Sequence, residues 1–392
     1  MTPPSLHNSR SLWCAACFWV ALGCGCSEPT AQFTGNVQVT ATTTGSNLDL
    51  DGYTVALDGR TSQALAANGA IVTFSQVNAG NHTVALSGLA SNCAMNSPSE
   101  QAVSVTAGAA AQVPFRVTCT LPRQVAFMSN RDGNFEIYLM DVDGAGLVNL
   151  TNDLAFDGFP TWSPDGSRMA FRTDRDGNDE IYVMKADGTG LVNLTKNAAF
   201  DGDPAWAPDG SRIAFNSNRD GNLEVYVMSP DGTGSENVTN NPAFDGHAAW
   251  SPDGSQIAFT TGRDGNAEVY VMKADGTDPF NLTNHPARDD YPAWSPEVLQ
   301  IAFETFRTRN FEIFQMSFLG TTLLNLTNNP AFDQYPAWSP DGRQIAFTTG
   351  RDGNAEVYLM KADGTGLVNL TNHPAGDMAP ALRPYGPPDA AR

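Results

Sequence analysis

Six aspartates recur at a constant step of 44 residues: Asp157, Asp201, Asp245, Asp289, Asp333 and Asp377. Carboxylates at equivalent positions of a repeated array can do two kinds of chemistry. Each can cap a turn by accepting backbone N–H bonds. All six can also face one axis and attract a hard cation such as Ca2+, which takes oxygen ligands. Two residues after each aspartate the residue type changes from repeat to repeat: Phe159, Asp203, His247, Tyr291, Tyr335 and Ala379. Positions that vary inside a constant frame are candidates for ligand contact. Phe159, Asp203, His247, Tyr291 and Tyr335 would offer aromatic rings, one acid and one imidazole. Drift of non-functional loops is the competing explanation.

A second charged pattern pairs Arg131, Arg175, Arg219, Arg263, Arg307 and Arg351 with Glu136, Glu180, Glu224, Glu268, Glu312 and Glu356, five residues further on. The spacing suggests an ion pair within each repeat, bracketing the R-D-G-N turn. The loop positions Phe156, Phe200, Phe244, Arg288, Phe332 and Gly376 break type at two repeats. Catalytic signatures are scarce. There is no G-x-S-x-G nucleophile elbow and no G-x-x-x-x-G-K phosphate loop. His285 and His373 fall at one repeat position, T-N-H-P-A, which points to copied sequence.

The elements that carry these residues follow from the repeat. One unit reads P-A-W-S-P-D-G-S-R-I-A-F, then R-D-G-N, then E-V-Y-V-M, then A-D-G-T and V-N-L-T. It holds four short strands separated by hairpin dipeptides. Repeats of 40–45 residues built from strands are propeller blades. The first unit begins at Q-V-A-F without a preceding P-A-W strand, and the last ends at A-P-A-L without a following I-A-F strand. The C-terminal strand is therefore expected to complete the first blade. The spacing predicts an all-β, six-bladed propeller over 121–392. Deviations in the fifth unit (Glu297, Thr308, Phe318) predict local irregularity there.

Residues 32–120 are poor in charge and rich in Thr, Val, Ser and Gly, with period-two runs such as Y-T-V-A-L and H-T-V-A-L. This predicts a small β-sandwich. Ahead of it, Arg10 precedes an uncharged stretch too short for a membrane span, which reads as a signal peptide over 1–23. Residues 24–31 are then a linker. The run V-A-L-G-C-G-C resembles a bacterial lipobox with Cys24 as the lipidated residue, although Ala21 stands where Leu is usual. In an exported chain, Cys93 and Cys119 read as a disulfide worth roughly 3 kcal/mol. The chain carries 42 acidic and 22 basic groups, a net charge of −20, which argues against nucleic acid as a partner.

The motifs W-S-P-D-G…I-A-F, R-D-G-N-x-E-(I/V)-Y and A-D-G-T resemble those of the TolB-like propeller family, and 32–120 resembles PEGA-type envelope domains. The resemblance implies a monomeric, non-catalytic envelope protein in the periplasm or at the cell surface. Its propeller would be a protein-interaction scaffold, its sandwich a spacer, and its membrane contact the N-terminal lipid. The competing expectation is an exported carbohydrate- or peptide-acting hydrolase or lyase. Its site would lie at the channel mouth, built from Asp203, His247 and the aspartate ring. Mass spectrometry of the chain exported from a bacterial host should find a mature N-terminus at lipid-modified Cys24, and Cys24→Ser should abolish the lipid.

Overall fold

The computed structural model describes residues 33–45, 52–66, 70–89, 93–119, 123–297 and 299–384. The expected signal peptide, linker and Cys24 lie outside them. All regular elements among the described residues are strands.

The N-terminal unit is two four-stranded sheets. In one, Ile71–Asn78, Thr34–Gly45, Ala110–Cys119 and Cys93–Met95 are neighbours in that order; in the other, Thr61–Leu65, Tyr53–Leu57, Gly80–Ser87 and Glu100–Val105. Alternate residues such as Val37, Val39, Val55, Val84, Val113 and Phe115 point inward and form one core. That is the expected sandwich, with apolar side chains on one face of each sheet. Cys93 lies directly opposite Cys119 in the register, the placement that the expected bridge requires.

Six further four-stranded sheets follow, each an antiparallel meander. Five are continuous in sequence. Their inner strands are Asp157–Trp162, Asp201–Trp206, Asp245–Trp250, Asp289–Trp294 and Asp333–Trp338. The sixth sheet takes three strands from Gln124–Asn149 and its inner strand, Asp377–Leu382, from the other end of the chain. Ser129 pairs with Asp377 and Val125 with Leu382. The C-terminal strand closes the ring as expected. Arg383 reinforces the joint: its guanidinium donates to the Gly166 carbonyl at 2.9 Å and to Gln124 Oε1 at 2.6 Å.

A blade has two apolar faces, and only neighbours can cover both. The second-strand phenylalanines Phe127, Phe171, Phe215, Phe259, Phe303 and Phe347 are all fully buried. The fifth blade keeps all four strands despite its altered turns, so the loss of turn residues there does not break the sheet.

The arginine–glutamate ion pair expected from spacing is not formed. Each arginine reaches the aspartate that opens the inner strand of its own blade. The six bonds run from 2.6 Å (Arg307 to Asp289) to 3.0 Å (Arg351 to Asp333). The glutamates take another role: Glu268 accepts bonds from Thr283 Oγ1, Asn266 Nδ2 and the His285 N–H, tying the outer strand to the next blade's approach loop. Spacing along a chain could not show this, because the partners sit on opposite sides of a hairpin. Among the described residues no group of three acidic, His or Cys residues could hold a metal. The six aspartates therefore do not gather as the expected cation ring.

Two outcomes follow. Truncation after Gly376 removes the closing strand, so thermal melting should fall far more than for a trimmed tail and protease should cut the first blade. Arg307→Ala leaves Asp289 buried and unpaired and should cost roughly 3–5 kcal/mol in denaturant titration. Arg307→Ala with Asp289→Asn should recover part of that loss.

Candidate functional site

Every inner strand contains the same irregularity. The register shifts between the residue after the aspartate and the one three positions further on, for example between Gly158 and Thr161. Two residues are left out of the ladder. The second of them is proline in five blades (Pro160, Pro204, Pro292, Pro336, Pro380), a residue with no N–H to contribute and therefore suited to a bulge. The first is the variable residue. Phe159, Asp203, His247, Tyr291, Tyr335 and Ala379 all have φ between 47° and 54°, a left-handed conformation that costs a non-glycine residue of order 1–2 kcal/mol. A bulge re-aims a side chain, and here it turns these residues into the axial channel.

Three of the N–H groups freed by the bulge are accepted from the preceding blade. Asn216 Oδ1 takes the His247 N–H at 3.0 Å, Thr348 Oγ1 that of Ala379 at 3.0 Å, and Glu304 Oε2 that of Tyr335 at 3.3 Å. The second-strand positions Arg172, Asn216, Thr260, Glu304 and Thr348 thus form a layer beneath the variable residues.

The variable residues meet across the axis. His247 stacks on Tyr291 with centroids 3.8 Å apart, Tyr291 is 4.6 Å from Tyr335 in a T-shape, and Tyr335 is 6.0 Å from Phe159. All six line a central cavity of about 360 Å³, whose walls rise through the prolines to the ring of inner-strand tryptophans.

The polar side of this plug is a chain of charges. His247 Nδ1 lies 2.6 Å from Asp290 Oδ1, and its Nε2 is 3.6 Å from Asp203 Oδ2. Asp290 also accepts from Thr260 Oγ1 at 2.7 Å, from the Tyr291 N–H at 2.9 Å and from Arg288 at 2.5 Å. Burial opposes charge on His247, but Asp290, Asp203 and Glu304 outweigh it and raise the imidazole above its ordinary range. Burial would raise Asp290 too, yet His247, Arg288 and Thr260 hold its carboxyl well below the carboxylate range. Burial, with the Asp290 charge behind it, pushes Glu304 up to about 8. Burial also raises Asp203 against the pull of His247, Arg172 and Asn216.

The structure brings Phe159, Asp203, His247, Tyr291 and Tyr335 together as one surface. It keeps the aspartate ring apart, behind the bulge and paired to arginine. His285 and His373 only cap turns, each accepting an alanine N–H on Nδ1 at 3.1 Å. Asp290, Glu304 and Arg172 were missed as site residues, and Arg288 was noted only as a break in the loop pattern. Their signal was present, because each departs from its repeat position. Gly158 and Gly202 precede the variable residue in two other blades, and a Cβ there would lie 2.6–2.7 Å from the ring of Phe156 or Phe200. Where Arg288 replaces that phenylalanine, Asp290 fits and finds its counter-ion.

Together these features define a six-bladed propeller whose channel is plugged by non-repeating side chains. The chain belongs to the TolB beta propeller family, whose domain model matches residues 95–201, 193–289 and 281–387. A TolB homolog of Chlorobaculum tepidum is 46% identical over 44 residues, 11% of this chain and 10% of that protein. The chain thus matches about a tenth of that curated relative's length. Solved structures share the fold at low identity. TolB from Acinetobacter baumannii superimposes with a TM-score of 0.61 at 22% identity over 67% of both chains. Kuenenia stuttgartiensis hydrazine synthase superimposes at 0.57 and 16% identity, over 68% of this chain and 47% of that one.

Glu304 makes stability pH-dependent. Its carboxyl ordinarily titrates near 4.5 and in the folded chain near 8, so the native state holds the extra proton between those values. Its stabilising contribution is present below pH 4.5 and is lost as pH rises towards 8 and beyond. Wild-type melting temperature should therefore fall between pH 6 and 9, and Glu304→Gln should flatten that decline.

Proposed function

We propose that this protein is an exported envelope protein whose propeller binds another protein at its axial channel without catalysing a reaction. In this reading Cys24 carries a lipid anchor and the N-terminal sandwich is a spacer. One observation carries it. The residues that repeat in every blade are consumed by turns, blade cores and buried pairs, whereas the non-repeating ones converge on the channel plug. A structural frame needs the same residue six times; a recognition surface needs different ones.

The fold alone does not choose between binding and catalysis. The His247–Asp290 contact with Asp203 on the other imidazole nitrogen favours a second reading, proton transfer in a hydrolase or lyase. The two readings separate experimentally. Capture of a defined set of envelope proteins should be lost in the Phe159→Ala/Tyr335→Ala variant and kept in the exposed-loop variant Leu154→Ala. Turnover of a glycan or peptide library that disappears in His247→Ala and Asp203→Asn would overturn the binding reading in favour of the enzyme.

A further inference from the structure

The cavity floor is chemically one-sided. Among the residues lining it, Asp203 is the one carboxylate. Its Oδ2 accepts a bond from Asn216 Nδ2 at 2.7 Å, while Oδ1 is buried with no partner. His247 Nε2 approaches the other oxygen, Oδ2, and at 3.6 Å that is too long for a hydrogen bond. A buried acceptor without a donor is costly, and native proteins seldom keep one without reason. Around it stand the π-systems of Phe159, Tyr291 and Tyr335, whose ring faces are electronegative. The walls above are apolar proline, alanine and tryptophan.

We propose, building on the channel-binding reading above, that this cavity receives a basic side chain, lysine or arginine, from the bound polypeptide. The ammonium or guanidinium would pair with the Asp203 carboxylate, whose shielded Oδ1 must turn towards the cavity to accept from it, and lie against the aromatic floor. Its aliphatic stem would pass the proline and alanine wall. A hard metal ion fits less well, because it takes six or more oxygen ligands and the cavity offers one free carboxylate oxygen. A free alkylamine shares the cationic chemistry. A polypeptide brings carbonyl acceptors as well. The inner-strand tryptophans line the same cavity, and the indole N–H groups of Trp162, Trp250 and Trp338 donate to the neighbouring inner strand. The net charge of −20 would draw a cationic segment towards the molecule.

Calorimetric titration of the whole mature protein tests this with N-acetyl-lysine N-methylamide, the arginine and norleucine equivalents, and n-butylamine. The expected result is at least tenfold tighter binding of the lysine or arginine probe than of norleucine. Asp203→Asn should lose that tenfold advantage with unchanged melting behaviour, and Asp203→Glu should regain part of it. Equal binding of norleucine, or an unaltered lysine affinity in Asp203→Asn, overturns the proposal. Butylamine binding as tightly as the lysine probe overturns its polypeptide part. Protein capture distinguishes the two levels of inference. Capture kept in Asp203→Asn but lost in Phe159→Ala/Tyr335→Ala sinks the basic side chain alone. Capture kept in both sinks the channel reading itself.

Discussion

A carboxylate removed from water needs a partner, and the inner strand of every blade opens with one that is fully buried. The arginine of the R-D-G-N turn supplies that partner. This pair joins the innermost strand to the turn between the second and third strands, across the whole inner half of the blade. The arginine also lies over the phenylalanine and tyrosine of those strands, as Arg219 does over Phe215 and Tyr226. Charge pairing and core packing thus act through one side chain. In the first blade the pair is Arg131 with Asp377, residues from opposite ends of the chain, so the same interaction that organises a blade also seals the ring.

Anchoring the start of the inner strand is what permits the bulge that follows. A left-handed residue in a strand is strained, and it persists only where its surroundings over-determine it. Here the aspartate is fixed on one side, the tryptophan is packed between blades on the other, and the freed N–H finds an acceptor, on the preceding blade for His247, Tyr335 and Ala379 and on Asp290 for Tyr291. The frame therefore tolerates any side chain at the bulge. Phenylalanine, aspartate, histidine, tyrosine and alanine all occupy it with nearly the same φ. Tolerance of type at a position aimed into the channel is the physical basis for variety there.

Much of the fold was legible in the sequence because it is written six times. Period, turn dipeptides and the missing strands at the two ends led directly to six blades and to closure by the C-terminal A-P-A-L strand. The channel residues were legible for the opposite reason, as interruptions of the pattern. Asp290 and Glu304 interrupt it equally, yet went unrecognised. They lie on different strands, and the register that sets Asp290 opposite Glu304 becomes meaningful only once the bulge is known. The arginine–glutamate pair failed as an inference because proximity along the chain was used where a hairpin brings more distant partners together.

By itself, then, the sequence determined the architecture: strand count, blade number, turn chemistry and the identity of the positions free to vary. These depend on local preference and periodicity, which are properties of the chain. Tertiary structure decided the pairing of charges and the protonation of buried groups. His247 is raised, Asp290 lowered and Glu304 pushed up to about 8 because two adjacent blades bring them into one water-poor space. Burial and distance set those values, and neither exists until the ring has closed.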